Sequence, residues 1–154
     1  MIIAVGCDHA GYPLKQHVME QVRAAGHEVL DCGAKSLEPG DDYPDYALAV
    51  AEAIRKGRAQ RGIVVCGSGV GVSVAASKVP GIRAAMCHDT FSARQGVEDD
   101  SMNVLCLGGR VIGPELASEV IKAYLSAQFS GAERHARRLK KVQQIEADAL
   151  AGKL

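Results

Sequence analysis

Five times along this chain a short apolar, strand-like run gives way to a segment with helical character, and no other feature narrows the fold as much. Met1 to Cys7 is the first run, broken by Asp8-His9-Ala10-Gly11. Pro13 suits the first turn of a helix, where its missing N–H is not needed. Leu14, Val18 and Val22 keep a spacing of four and form one apolar face, and Gly26 is a C-terminal stop. Glu28 to Cys32 reads as the second strand and the polar stretch Gly33 to Pro44 as a loop. Asp45 caps the next helix, whose inner face is Ala47, Val50, Ala51 and Ile54 and whose stop is Gly57. Gly62 to Cys66, Ile82 to Cys87 and Asn103 to Leu107 are the remaining strands. Helices from Val70 to Ser77 and near Thr90 to Gly96 fall between them. Gly113-Pro114 opens a further helix that buries Leu116, Val120 and Tyr124. The tail, about 132–149, is a charged helix with Leu139, Val142 and Ile145 as its apolar stripe.

Such alternation predicts an α/β fold: a three-layer Rossmann-like sandwich with a five-stranded parallel sheet and helices on both faces. With 154 residues and no linker, repeat or low-complexity segment, the expectation is a single domain over 1–154. Lys plus Arg equals Asp plus Glu at 18 each, so no overall field draws nucleic acid or an acidic membrane surface. No apolar run approaches the roughly 20 residues of a membrane span, and no secretory signal is visible. The five cysteines are widely spaced and form no CxxC pair, which argues against a disulfide framework and a zinc site. Reduced thiols in a cytoplasmic protein are the simplest reading.

Ligands of parallel α/β sheets bind beyond the carboxyl ends of the strands. The polar residues expected there are Asp8, His9, Cys66, Ser68, Asp89 and the Gly108-Gly109-Arg110 turn. Cys66 stands out among them. The apolar strand ends on its thiol, and Gly67-Ser68-Gly69-Val70-Gly71 leads from it into a helix. That order aims backbone N–H groups and a helix N-terminus at one space, where an anion can sit beside a nucleophile or base. The bland reading, a buried thiol acting as a small apolar residue, fits Cys32, Cys87 and Cys106. A phosphatase loop of the form Cys-x5-Arg fails, because the sixth residue after Cys66 is Val72. A dinucleotide fingerprint is a weak match, since GxGxG lacks the required spacing and follows the third strand. Arg134 and Arg138 are four apart in the basic segment Arg134-His135-Ala136-Arg137-Arg138, so they share a helical face that can grip one phosphate. A solvated helix face is the plain alternative. Nucleic-acid binding is disfavoured by the neutral total and scarce aromatics.

The segments Gly6-Cys7-Asp8-His9-Ala10-Gly11, Asp42-Tyr43-Pro44, Cys66 to Gly71, Lys78 to Ala84, Asn103-Val104-Leu105, Gly108 to Gly113 and Arg134 to Arg138 together resemble the B-type ribose-5-phosphate isomerases, a group that includes galactose-6-phosphate isomerase subunits. The resemblance implies aldose–ketose isomerisation of a phosphorylated sugar without metal or organic cofactor. It implies a homodimer or dimer of dimers with active sites shared between subunits. It makes Cys66 the base that moves a proton between C2 and C1 through an enediolate. Some relatives use a glutamate a few residues later, and Val70 to Val74 carries no carboxylate. It assigns Ser68 to the reacting oxygens and Asp8 and His9 to the sugar. The amides of Gly67, Ser68, Gly69, Val70 and Gly71 hold the developing oxyanion. Arg110, Arg134 and Arg138 bind phosphate, with His135 nearby.

There is one departure. The family carries a histidine that opens the furanose ring, followed by Asn or Asp, just before the fifth strand. Here those two positions are Asp99 and Asp100. A carboxylate raised in pKa by its neighbours could shuttle the same proton. Alternatively, His9 opens the ring, or the substrate is an open-chain tetrose phosphate that has no furanose to open. Ribose 5-phosphate is the first expectation. Tetrose, allose and galactose phosphates, and a noncatalytic sugar-phosphate-binding protein, are the alternatives.

Overall fold

Successive side chains of a strand point to opposite faces of its sheet, and here both sets are apolar, so both faces must be covered. The computed structural model, which describes residues 1–154, shows how. Its elements are β1 (Ile2–Cys7), α1 (Tyr12–Ala24), β2 (Glu28–Asp31), α2 (Tyr43–Arg55), β3 (Arg61–Cys66), α3 (Val70–Ala76), β4 (Ala84–Met86), α4 (Thr90–Asp100), β5 (Val104–Gly108), α5 (Pro114–Ser126) and α6 (Glu133–Leu150). The five strands form one sheet in the order β2-β1-β3-β5-β4, with every pair parallel.

The period of two sorts the core into its two layers. Ile3, Val5, Ile63, Val65, Leu105 and Leu107 face one side, under the apolar faces of α1, α4 and α5. Ala4, Val64, Cys66, Val104 and Cys106 face the other, under α2 and α3. Right-handed crossovers produce this division, because the chain steps one way across the sheet through α1 and α4 and the opposite way through α2 and α3. The three-layer sandwich with helices on both faces is therefore present. The step from β1 to β2 leaves in one direction, and the return to β3 passes β1 on its other side. A crevice opens beyond the carboxyl ends of β1 and β3 at that reversal.

Several local expectations shift. The helix after the loop starts at Tyr43 with Asp42 as its N-cap residue, and Asp45 sits in its first turn. Pro44 explains the earlier start, since proline is tolerated where the first N–H groups have no partner. Strand β4 is only three residues long, Ala84 to Met86, and α4 continues to Asp100. In α5 the buried positions are Ala117, Val120, Ile121, Tyr124 and Leu125, and Leu116 is exposed. The phase is set by Tyr124, which is fully buried and donates its hydroxyl to the Gly62 carbonyl at 3.2 Å. The tail is helical as expected, but Val142 and Ile145 are 52% and 61% exposed. Helix α6 lies along the β4 edge, where the Glu146 carboxylate accepts the Gly81 N–H at 3.0 Å, and its stripe borders an open groove there. No helix is long and apolar enough to cross a membrane.

Candidate active site

The crevice is built by three turns that follow β1, β3 and β5. After β1, Asp8 turns its carboxylate back on the chain, and Oδ1 accepts the Gly11 N–H at 2.9 Å. That bond closes the turn and leaves Asp8 only 5% exposed, at the crevice wall. After β3, Gly69 adopts φ +82 and ψ −16 as the N-cap of α3, a left-handed conformation that glycine takes without steric cost. The reversal carries the Gly69 N–H back onto Cys66, whose Sγ accepts it at 3.1 Å. One residue on, the Val70 N–H donates to Ser68 Oγ at 3.2 Å, so the Ser68 hydroxyl hydrogen is left for another acceptor. After β5, the Gly109 N–H donates to the Cys66 carbonyl at 2.8 Å and the Arg110 N–H to the Gly67 carbonyl at 3.0 Å. This pairing hangs the Arg110 guanidinium beside Gly67, with Nη1 within 3.7 Å of where a Cβ would stand there.

The resulting cleft has a volume of about 510 Å³. Asp8, His9, Cys66, Gly67, Ser68, Gly71 and Arg110 all line it, joined by Ala10, Tyr43 and Val111. One wall therefore carries a thiol, a hydroxyl, an imidazole and a carboxylate, and a guanidinium closes the rim. That set can bind a phosphorylated polyol and move protons on it. Asp89, expected among these residues, is used otherwise: its side chain caps α4 by accepting the Ser92 N–H at 2.7 Å. The helix N–H groups outweigh burial cost there and hold the Asp89 carboxyl below its ordinary value.

Asp99, Asp100, Arg134, His135 and Arg138 do not line this cleft. Helix α4 begins beyond the carboxyl end of β4 and runs back toward the amino ends of the strands. Its 11 residues cover about 16 Å, so Asp99 and Asp100 finish at the opposite edge of the sheet from Cys66. There Asp99 Oδ2 accepts Gln95 Nε2 at 3.0 Å, and Oδ1 lies 3.4 Å from His135 Nδ1. His135 is buried, with Nδ1 2.7 Å from Ser130 Oγ and Nε2 accepting Arg134 Nε at 3.1 Å. An acceptor Nε2 places the ring proton on Nδ1, pointing at Ser130 and Asp99. Asp100 lines a larger cavity of about 710 Å³ between α6 and the β4 edge, which holds none of the strand-end residues. The chemistry therefore selects the smaller cleft.

Two contributors were not legible as site residues in the sequence. Tyr43 lines the cleft from the first turn of α2. Asp41 holds His9, accepting both its backbone N–H at 3.0 Å and its Nδ1 at 2.6 Å on a single oxygen. The only hint was an acidic pair, Asp41-Asp42, in a stretch that otherwise reads as loop. Donor atoms of Asp8, His9 and Asp41 lie within 4.8 Å of one another, a spacing that could hold a cation. Three of their donor atoms already have protein partners: Asp8 Oδ1 is taken by the Gly11 N–H, and the His9 ring bonds Asp41 Oδ1 directly.

The chain is similar to proteins of known activity over nearly its whole length. The family model described as ribose/galactose isomerase matches residues 3–142. Ribose-5-phosphate isomerase B of Escherichia coli is 44% identical over 144 residues, 94% of this chain and 95% of that protein. The D-erythrulose-4-phosphate isomerase of Pectobacterium atrosepticum is 45% identical over 129 residues, 84% of this chain and 85% of that protein. Among solved structures, Clostridium thermocellum ribose-5-phosphate isomerase B superposes with a TM-score of 0.92 at 46% identity, covering 97% of this chain and 99% of that one.

Proposed function

This chain belongs to the ribose/galactose isomerase family and is a sugar-phosphate isomerase, and from that premise we propose that it interconverts ribose 5-phosphate and ribulose 5-phosphate with Cys66 as the carbon base. The observation that carries the reading is the Cys66 sulfur at the wall of a cleft it shares with His9, Ser68 and Arg110. The chemical problem is a weakly acidic C–H beside a carbonyl. Its removal needs a positioned base and donors for the enediolate oxygen. Cys66 takes the hydrogen from C2 of the aldose and returns it to C1 of the ketose. The Ser68 hydroxyl and the amides of Gly67, Ser68 and Gly71 supply donors to the oxygens that gain charge, while the Gly69 and Val70 amides hold Cys66 and Ser68 in place. Arg110 supplies one charge for the phosphate, and binding energy at that end holds C1 and C2 against the sulfur.

Asp99, Asp100, Arg134, His135 and Arg138 serve this cleft from a second copy of the chain. Their place at the opposite sheet edge and the uncovered stripe of α6 support a homodimer with shared sites. Five free thiols suit a reducing compartment such as the cytoplasm.

A second reading, a tetrose 4-phosphate as substrate, is favoured by one observation. Asp99, at the position of the family's ring opener, spends both oxygens as neighbours of Gln95 and His135. A carboxylate so engaged is a poor acid toward a ring oxygen, and a tetrose 4-phosphate has no furanose to open. The Pectobacterium relative is named for such a substrate. One experiment tests both readings: the protein is incubated with tetrose, pentose and hexose aldose phosphates in heavy water. Ketose formation with deuterium uptake from ribose 5-phosphate, faster than from the others, is expected. A faster tetrose reaction selects the second reading, and no exchange with any of them overturns both.

A further inference from the structure

We propose that Asp41 is a positioning residue that fixes the tautomer of His9, so that a bare Nε2 faces the cleft and carries a proton between the two reacting oxygens. The proposal rests on the isomerase reading above and adds a residue that reading does not use. A single oxygen, Asp41 Oδ1, accepts the His9 backbone N–H at 3.0 Å and the ring Nδ1 at 2.6 Å. The two bonds together fix the ring's position as well as its orientation. The contact is shielded, with the Asp41 side chain 11% exposed, while His9 keeps 29% of its side chain exposed on the cleft side. Burial alone would raise the Asp41 carboxyl. The hydrogen bonds from the His9 backbone and ring outweigh it, and the carboxyl lies below its ordinary value. An ionised Asp41 only accepts, so Nδ1 carries the hydrogen and Nε2 holds the lone pair.

Asp41 Oδ2 is the one buried side-chain oxygen or nitrogen in the molecule without a hydrogen-bond partner. The Tyr46 hydroxyl borders the same carboxylate, and burial together with its interaction with Asp41 pushes its pKa up to about 12.

The chemistry gives the dyad its use. In aldose-to-ketose conversion Cys66 moves one hydrogen from C2 to C1. Meanwhile O1, the former carbonyl oxygen, must gain a proton, and O2, the former hydroxyl, must lose one. A neutral His9 takes the O2 proton on Nε2 and delivers a proton to O1. It ends as it began, and no other reagent is consumed.

The test begins with the unmodified protein, labelled with nitrogen-15 histidine and read by long-range proton–nitrogen correlation near pH 8. The His9 signals are identified by their loss in His9→Gln. The expected result is the Nδ1–H form, the minor tautomer of free imidazole side chains in water. Asp41→Ala, which removes the accepting oxygen, should shift His9 toward the Nε2–H form and lower kcat about tenfold or more, with KM changed far less. In a His9→Gln background the same substitution should cost nothing further. An Nε2–H form in the unmodified protein overturns the proposal, as does an undiminished Asp41→Ala loss in the His9→Gln background. If no sugar phosphate is isomerised while His9 keeps the Nδ1–H form, the isomerase reading fails and the dyad stands. The labelled unmodified protein decides the tautomer even if Asp41→Ala does not fold.

Discussion

The Gly69 amide points at the Cys66 sulfur from 3.1 Å, so the residue that makes the turn also holds the reacting atom. Because Gly69 has a left-handed backbone, its N–H faces the strand it has just left, and the thiol is held at the cleft wall. Replacing the sulfur removes the base and leaves this turn intact. Cys66→Ala should lower kcat about a hundredfold or more while KM changes little, measured by ketose formation. Near-normal turnover would refute the role of the thiol.

Arg110 is the phosphate candidate that belongs to the same copy as Cys66. Its backbone is pinned to Gly67, so its side chain leaves the chain at the cleft it lines. Arg110→Ala should raise KM about tenfold or more and lower kcat less, because a lost charge-assisted contact weakens both ground and transition states. Steady-state kinetics with ribose 5-phosphate check this, and an unchanged KM would remove Arg110 from the phosphate site.

Arg138 belongs to a different copy in the shared-site reading. Cys66→Ala and Arg138→Ala proteins should each be impaired. When mixed, dissociated and reassociated they should recover about a quarter of the wild-type rate, since half the dimers are hybrids with one intact site of two. No recovery would place the complete site within one chain.

Gly11 is where two turns meet. Its N–H holds Asp8, and a Cβ there would stand 2.2 Å from the Val65 carbonyl oxygen. The obstacle is backbone of β3 and cannot swing aside. Gly11→Ala should cost about 3 kcal/mol or more, read from the urea midpoint, and displace Asp8. An unchanged midpoint would show that the two turns tolerate separation.

Acid should loosen the opposite flank of the cleft. Burial raises the Asp31 carboxyl, but Lys15, Lys35 and the Gly33 N–H outweigh it and hold its pKa below the ordinary 3.8. The unfolded chain therefore binds this proton first, and the stabilisation present above pH 3.8 is lost as pH falls through the lower, folded value. Urea midpoints should fall steeply below about pH 4, and Asp31→Asn should flatten that fall. Parallel curves for the two proteins would assign the acid sensitivity elsewhere.

Much of the fold was legible because it rests on local rules. The strand runs, the spacing of Leu14, Val18 and Val22, and the stops at Gly26 and Gly57 all depend on near neighbours in the chain. Gly26 and Gly57 do take positive φ, at +80 and +70. The errors fall where packing decides among local options. Leu116 is apolar and in helical phase, but fully buried Tyr124 turns α5 so that Ala117 and Ile121 face the sheet instead.

The sequence by itself determined that strands and helices alternate, that both sheet faces are apolar, and that a thiol ends β3 before a glycine-rich turn. Those properties follow from side-chain periodicity and backbone freedom within a few residues. Only the tertiary structure decided that β1 and β3 lie side by side, bringing Asp8, His9 and Cys66 to one cleft, and that Asp41 reaches back 32 residues to hold His9. It also separated Asp99 from Cys66, because α4 runs against the strands and carries its last turn to the far edge of the sheet. Contacts between distant segments depend on strand order and helix direction, which no local pattern encodes.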